Sequence, residues 1–83
     1  MNPANTEIRS TQDIGRAVKA ARTWQHLRQD EVGAISHTFI LDLEAGKPTA
    51  QIGKVLEALR QLGIRVYLQL PAHMPTPPVN DEP

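Results

Sequence analysis

The chain has 83 residues, no cysteine and a formal net charge of zero at pH 7. A chain of this length accommodates one small domain, and the lack of thiols excludes disulfides, thiolate metal sites and cysteine nucleophiles. All nine basic residues but only seven of the nine acidic ones precede residue 71, so this part of the chain has an excess of two positive charges. Such a small excess is only weak evidence for a polyanionic partner. No apolar run approaches the roughly 20 residues of a membrane span, so we expect a cytoplasmic protein with no membrane partner.

The first predicted element is a helix that follows a flexible N-terminal arm over residues 1–10. Thr11 is a candidate N-cap, and apolar residues recur at helical spacing from Ile14 to Ala21. The helix is predicted to end near Gln25. Trp24, close to that end, is expected to pack under the helix, with an exposed anchor for a partner as the alternative.

Two short helices separated by a turn are predicted next. The first runs from Gln29 to about Ala34, with acidic residues in its first turn. The second runs from His37 to Leu43, with Ser36 as its N-cap and Gly46 where a helix C-cap glycine is expected. This arrangement is a helix, a turn and a helix.

The last predicted elements are a helix and a strand. An amphipathic stripe extends from a candidate cap at Thr49 to a stop at Gly63, so the helical domain is placed at residues 11–63. In residues 64–70 the apolar period changes to two, which predicts a strand. Residues 71–83 contain five of the seven prolines and predict a disordered tail.

A single strand leaves its backbone hydrogen-bonding groups unpaired. We therefore expect it to pair antiparallel with the same strand of a second copy, the alternative being an extended segment that lies over the helices. The dimerisation residues expected on this basis are Ile64, Val66, Tyr67, Leu68 and Leu70.

The motifs IGRAVKAAR, LRQDE and SHTFILDLEAGKPTAQIGKVLEALRQLGI resemble Xre-type helix-turn-helix repressors and, within them, the HipB-like antitoxins. The resemblance covers about Thr11 to Leu70. It implies a mostly α, lambda-repressor-like helix-turn-helix bundle of four to five helices with one C-terminal β-strand that pairs across a homodimer. It also implies a repressor that binds double-stranded operator DNA, controls its own operon and acts as the antitoxin of a HipA-like kinase toxin.

The same resemblance implies roles for individual residues. It places an ion pair between Arg22 and Glu44, and a phosphate-positioning role on Gln29. The remaining DNA-contacting positions that it implies are Ser36, His37, Thr38, Leu41 and Lys47. Leu41 stands where the family often has a polar residue, so it could contact a thymine methyl group or a protein.

The sequence departs from the family pattern before Ser36, where about three residues are missing. The loss could shorten the second helix by one turn or rebuild the turn that follows it. The alternative function is therefore a degenerate helix-turn-helix module that binds a partner protein without reading DNA. His26, which replaces a glycine that often ends the first helix, can adopt positive φ at some cost.

Enzymatic and cofactor-dependent functions are not supported by the sequence. The three histidines lack a metal-binding spacing, GKPTAQIGK lacks the spacing of a phosphate-binding loop, and no convincing base accompanies Ser36. We therefore predict no catalytic site, no metal site and no cofactor.

Overall fold

A computed structural model describes residues 4–78. In this part of the chain three α-helices follow one another: α1 (Thr11–Trp24), α2 (His37–Glu44) and α3 (Ile52–Gln61). The prediction of a small, mostly helical domain is confirmed. The prediction of four to five helices and a C-terminal strand is wrong for the residues that the structure describes.

The start of α1 differs from the predicted one by a single residue. Ser10, with extended backbone angles, is the N-cap, and its hydroxyl accepts a hydrogen bond from the backbone N–H of Asp13 at 3.3 Å. Thr11 instead uses its hydroxyl to donate to the carbonyl oxygen of Gly46 at 2.7 Å. The beginning of α1 is thereby attached to the end of α2.

The end of α1 also departs from expectation. Trp24 is 81% exposed, so the prediction that it packs under the helix is wrong. His26 has a φ of 58°, a left-handed conformation that glycine adopts more readily than other residues. The Gln25 side chain donates to the carbonyl oxygen of Leu62 at 2.8 Å and ties this end to the end of α3.

The backbones of α1 and α2 approach closely at Gly15. A Cβ atom at this position would lie 2.5 Å from the carbonyl oxygen of Leu43 and 2.8 Å from that of Glu44. Backbone oxygens have no room to withdraw, so the absence of a side chain at Gly15 permits the packing. Glycine has a low helix propensity and weakens α1 as an isolated helix, but the close contact with α2 requires it at position 15.

One hydrophobic core joins the three helices and the segment between α1 and α2. Half-buried apolar residues, among them Ile14, Leu27 and Phe39, surround it. The buried core residues are Val18, Val32, Ile40, Leu43, Val55, Ala58, Leu59 and Leu62.

The predicted helix from Gln29 to Ala34 does not form. Its residues make two successive turns. In the first, the backbone N–H of Glu31 donates to the carbonyl oxygen of Arg28 at 3.0 Å, and in the second, the N–H of Ile35 donates to the carbonyl oxygen of Val32 at 3.1 Å. Six residues provide few i to i−4 hydrogen bonds to offset helix nucleation, and Gly33 leaves helical space with a φ of 54°. The side chain of Val32 nevertheless anchors the segment in the core.

The apolar stripe of α3 is only partly buried. Val55 and Leu59 face the core, whereas Ile52 is 66% and Leu56 47% exposed. Gln51, not Thr49, is the N-cap, and its side chain makes no capping hydrogen bond. The exposed pair, one helical turn apart, forms an apolar patch on the surface of the single chain.

Residues 64–70 form no strand in the single chain. Ile64 packs against the core, but Val66, Tyr67 and Leu68 are 53%, 73% and 83% exposed. A strand needs a hydrogen-bonded neighbour, and this segment finds none among the residues described.

Residues 71–78 are exposed and contain one turn. The parts of the predicted arm and tail at residues 1–3 and 79–83 lie outside the described residues. Within residues 4–78, no helix has the length and apolar character needed to cross a membrane.

Candidate nucleic-acid interface

The short helix α2 has a buried face and an exposed face. Ile40 and Leu43 point into the core, while His37, Thr38 and Leu41 are exposed. Positions i, i+1 and i+4 of a helix share one side, so these three residues form a single outer surface. We call them the α2 face.

Ser36 fixes the beginning of this helix. Its backbone is extended, and its hydroxyl accepts a hydrogen bond from the backbone N–H of Phe39 at 3.1 Å, so the predicted N-cap is confirmed. The other N–H groups of the first turn are not needed for helix bonds and carry the positive end of the helix dipole. The beginning of α2 is therefore suited to lie near a negatively charged group.

An ion pair buried beneath the α2 face joins α1 to α2. The guanidinium of Arg22 donates to both carboxylate oxygens of Glu44, at 2.5 and 2.9 Å, and to the carbonyl oxygen of Leu27 at 2.9 Å. The two side chains are 12% and 6% exposed. This two-point geometry sets the orientation of the carboxylate as well as its position.

The surroundings keep this pair charged. Burial by itself would raise the pKa of Glu44, but the hydrogen bonds from Arg22 and Gln29 outweigh it and hold that pKa below its ordinary value. The hydrogen bonds to Glu44 raise the pKa of Arg22, against the opposing effect of burial. Glu44 is consequently a carboxylate at neutral pH and can only accept hydrogen bonds.

Gln29 connects the ion pair to the α2 face. Its side-chain amide nitrogen donates to Glu44 Oε1 at 3.1 Å, and its amide oxygen lies 3.2 Å from Nε2 of His37. Arg22, Glu44, Gln29 and His37 thus form one continuous set of hydrogen-bonded side chains, which we call the polar chain. It links α1, the two turns at residues 28–35, which we call the turn segment, and α2, although the expected helix around Gln29 is absent.

Charged residues beside the polar chain largely neutralise one another. Arg28, Gln29, Asp30 and His37 line a shallow depression of about 230 Å³. Arg28 donates to both oxygens of Asp30, and these hydrogen bonds raise the pKa of Arg28 and lower that of Asp30. A phosphate that approached this depression would encounter Asp30 as well as Arg28 unless their pairing changed.

Lys47, expected to contact phosphates, lies just beyond α2. Its ammonium group is 3.4 Å from a carboxylate oxygen of Asp42, and both side chains are substantially exposed. Exposed pairs of this kind are weak, so Lys47 can exchange this partner for a phosphate at little cost.

The structure brings most of the predicted DNA-contacting residues to one side of the molecule, around the α2 face. The contact between His37 and Gln29, eight residues earlier, could not be predicted from the sequence, because it depends on the path of the two turns. The dimerisation residues are not assembled in the single chain. No group of three or more histidine or acidic residues within residues 4–78 is arranged to hold a metal ion.

The three-helix core, the turn segment and the exposed α2 face define a small all-α domain compatible with a helix-turn-helix. No protein-family model matches the chain. An uncharacterised HTH-type transcriptional regulator, y4mF of Sinorhizobium fredii (strain NBRC 101917 / NGR234), is 49% identical over 67 residues, which cover 77% of this chain and 88% of the relative. The chain belongs to the family of HTH-type transcriptional regulators, and the prediction that it is not an enzyme is confirmed.

Proposed function

We propose that the protein is a sequence-specific DNA-binding repressor that acts as a homodimer and as the antitoxin of a HipA-like kinase. DNA binding is supported by its family and by the exposed α2 face, because a helix-turn-helix protein contacts base edges with an exposed helix surface of this kind. The observation that carries the proposal is the polar chain, because it holds Gln29 against the first residue of α2 without a second helix.

Gln29 and the start of α2 would set the position of the protein on the duplex. One N–H of the Gln29 amide is used on Glu44, which leaves the second N–H for a phosphate oxygen. The α2 dipole favours negative charge at the same end. His37, Thr38 and Leu41 would then face the base edges, Leu41 through contact with a thymine methyl group.

A gel-shift titration with the DNA upstream of the gene tests this function. We expect the wild-type protein to retard the DNA and a His37→Ala, Thr38→Ala double variant to lose retention. The matched control is His73→Ala, Thr76→Ala, which removes the same two residue types from the exposed segment at residues 71–78. Equal retention by both double variants would contradict recognition through α2.

Homodimerisation is supported by apolar surface that the single chain leaves uncovered. Val66, Tyr67 and Leu68 are exposed, and their backbone has no partner strand among residues 4–78; Ile52 and Leu56 expose a further apolar patch. Pairing of residues 64–70 about a two-fold axis would satisfy that backbone and could cover these side chains. It would also place two α2 faces on one duplex, with half-sites about one helical turn apart.

Light scattering and a pair of substitutions test the dimer. Leu68→Asp places a charge among the apolar dimerisation residues, whereas Gln69→Asp places the same charge at the neighbouring polar position. We expect the first variant to have half the wild-type mass and the second to remain dimeric. A wild-type protein of monomeric mass would contradict the homodimer directly.

The antitoxin role is supported by the resemblance of residues 36–64 to the HipB-like branch. The expected result is copurification with the kinase-like product of a neighbouring gene and rescue of cells that express that product. Rescue by the variant that no longer binds DNA would show that neutralisation is direct. Failure of both copurification and rescue would contradict this role without affecting the proposed DNA binding.

A second candidate function, a partner-binding module without DNA reading, is favoured by two exposed side chains. Trp24 is 81% exposed, and Leu41 is 47% exposed on the α2 face itself. Large aromatic residues commonly anchor protein interfaces. Under this alternative the wild-type protein would not shift DNA even at low salt, and Trp24→Ala would abolish partner capture.

A further inference from the structure

We propose that His37 is held as the tautomer with hydrogen on Nε2, so that its Nδ1 reads an amino group on a base edge in the major groove. The ligand is therefore a base that carries an exocyclic amine, adenine or cytosine. This inference rests on the proposed DNA binding and specifies which chemistry His37 recognises. The tautomer of His37 is set by the polar chain alone and is the same in the free protein.

The orientation of the Gln29 amide follows from the charge of Glu44. A carboxylate offers only lone pairs, so the Gln29 atom that lies 3.1 Å from Glu44 Oε1 must be the NH₂ group. The opposite orientation would place the amide oxygen against a carboxylate oxygen in a half-buried site. The bidentate pairing with Arg22 keeps the carboxylate in place.

The tautomer of His37 then follows from the Gln29 amide. With its NH₂ group on Glu44, Gln29 turns its oxygen towards His37, and that oxygen can only accept. The imidazole Nε2, 3.2 Å away, must therefore carry the hydrogen. A neutral imidazole has one N–H, so Nδ1 carries a lone pair and acts as an acceptor.

The major groove supplies the complementary donors. Adenine and cytosine present amino groups there, whereas guanine presents the acceptors N7 and O6 and thymine presents O4. An acceptor at Nδ1 would pair with the first two bases and be repelled by the others. His37 is the first residue of α2 and is exposed, the position from which recognition helices reach base edges.

The charged neighbours leave this assignment intact. Arg28 and Asp30 line the same depression as His37, but they are engaged with each other through two hydrogen bonds. Glu44 reaches His37 only through Gln29. Among residues 4–78, Gln29 is the hydrogen-bond partner of the His37 ring.

Nitrogen NMR of the full-length protein tests the tautomer without DNA. Spectra that correlate ring nitrogens with ring protons distinguish the two tautomers, and the His37→Gln variant identifies the signals of His37 among the three histidines. At about pH 8, where histidine is ordinarily neutral, we expect Nε2 to be protonated and Nδ1 to be bare. A bare Nε2 would overturn the inference.

Selection from a random duplex library at the same pH tests the base that is read. His37→Gln keeps a polar group near the Nε2 position but has none at Nδ1, whereas His37→Asn keeps one near Nδ1 and loses the contact with Gln29. We expect the wild type to prefer one base pair at one position of each half-site by roughly fivefold or more, and to bind the selected duplex more weakly by a similar factor when the exocyclic amine of that pair is removed, with purine in place of adenine or 2-pyrimidinone in place of cytosine. The preference should disappear in His37→Gln and persist in weakened form in His37→Asn.

The outcomes separate this inference from the proposed function. An unchanged preference in His37→Gln, or undiminished wild-type binding after removal of that amine, would overturn the inference and leave DNA binding established. If the wild type selects no DNA at all, the proposed function fails and the base-reading inference fails with it, whereas the tautomer is still decided by NMR. Circular dichroism of both variants establishes that they are folded.

Discussion

Replacing Glu44 with glutamine should lower the free energy of unfolding by about 2–3 kcal/mol at neutral pH. Three donors converge on the two carboxylate oxygens: two N–H groups of Arg22 and one of Gln29. The glutamine amide has nearly the same shape, but its NH₂ group must face at least one of these donors. The substitution therefore removes one or two charge-assisted hydrogen bonds and leaves Arg22 charged and only 12% exposed.

A loss of this size is readily measured. For a chain of this length it lowers the melting temperature by roughly 10–20 °C. Urea unfolding monitored by circular dichroism gives the free energy by linear extrapolation.

The matched control for Glu44→Gln is Glu57→Gln. Glu57 also accepts two hydrogen bonds from an arginine, Arg60, and one from a glutamine, Gln61. These hydrogen bonds lower the pKa of Glu57, but its side chain is 42% and that of Arg60 71% exposed. Solvent screens such a pair, so we expect no measurable loss from Glu57→Gln.

The difference in stability between wild type and Glu44→Gln should also depend on pH. The pKa of Glu44 is lower in the folded than in the unfolded protein, so the stabilisation is complete above the ordinary glutamate pKa of about 4.3 and is lost as the pH falls through the folded-state value. The gap between the two proteins should be largest near pH 7 and should shrink on acidification. Equal losses from Glu44→Gln and Glu57→Gln, or a gap independent of pH, would refute the role assigned to the buried pair.

Three further predictions concern the backbone and the salt dependence. Gly15→Ala should strongly lower the free energy of unfolding measured in urea, because its Cβ would clash with the carbonyl oxygens of Leu43 and Glu44. Gly53→Ala in α3, with open space around the Cβ, should instead raise that free energy by up to about 1 kcal/mol. His26→Gly should raise the midpoint of urea unfolding, because glycine adopts a φ of 58° without strain, and an unchanged or lower midpoint would contradict that reasoning. The logarithm of DNA affinity should fall with the logarithm of salt concentration less steeply than for proteins with roughly six to ten phosphate contacts. A slope as steep as theirs would show that the protein contacts more phosphates than its small excess of positive charge indicates.

The local pattern of the sequence was sufficient to predict α1, α2 and α3. Apolar residues at helical spacing, Ser36 as a cap and Gly46 as a stop placed all three helices close to their actual limits, because each of these signals acts between neighbours in the chain. The pairing of Arg22 with Glu44 was reached through the resemblance to a family, since nothing in local spacing joins residues 22 positions apart. Both side chains are in contact in the structure, at 2.5 and 2.9 Å.

Packing between distant segments determined the conformations that local spacing did not predict. The stretch from Gln29 to Ala34 has the composition of a helix start, but Val32 enters the core and Gly33 takes a positive φ, so two turns replace the helix. The contact between Gln29 and His37 exists only because those turns fold back onto α2. The alternation in residues 64–70 is a property of the sequence, whereas strand formation requires hydrogen bonds from a neighbouring segment, and residues 4–78 of a single copy do not provide them.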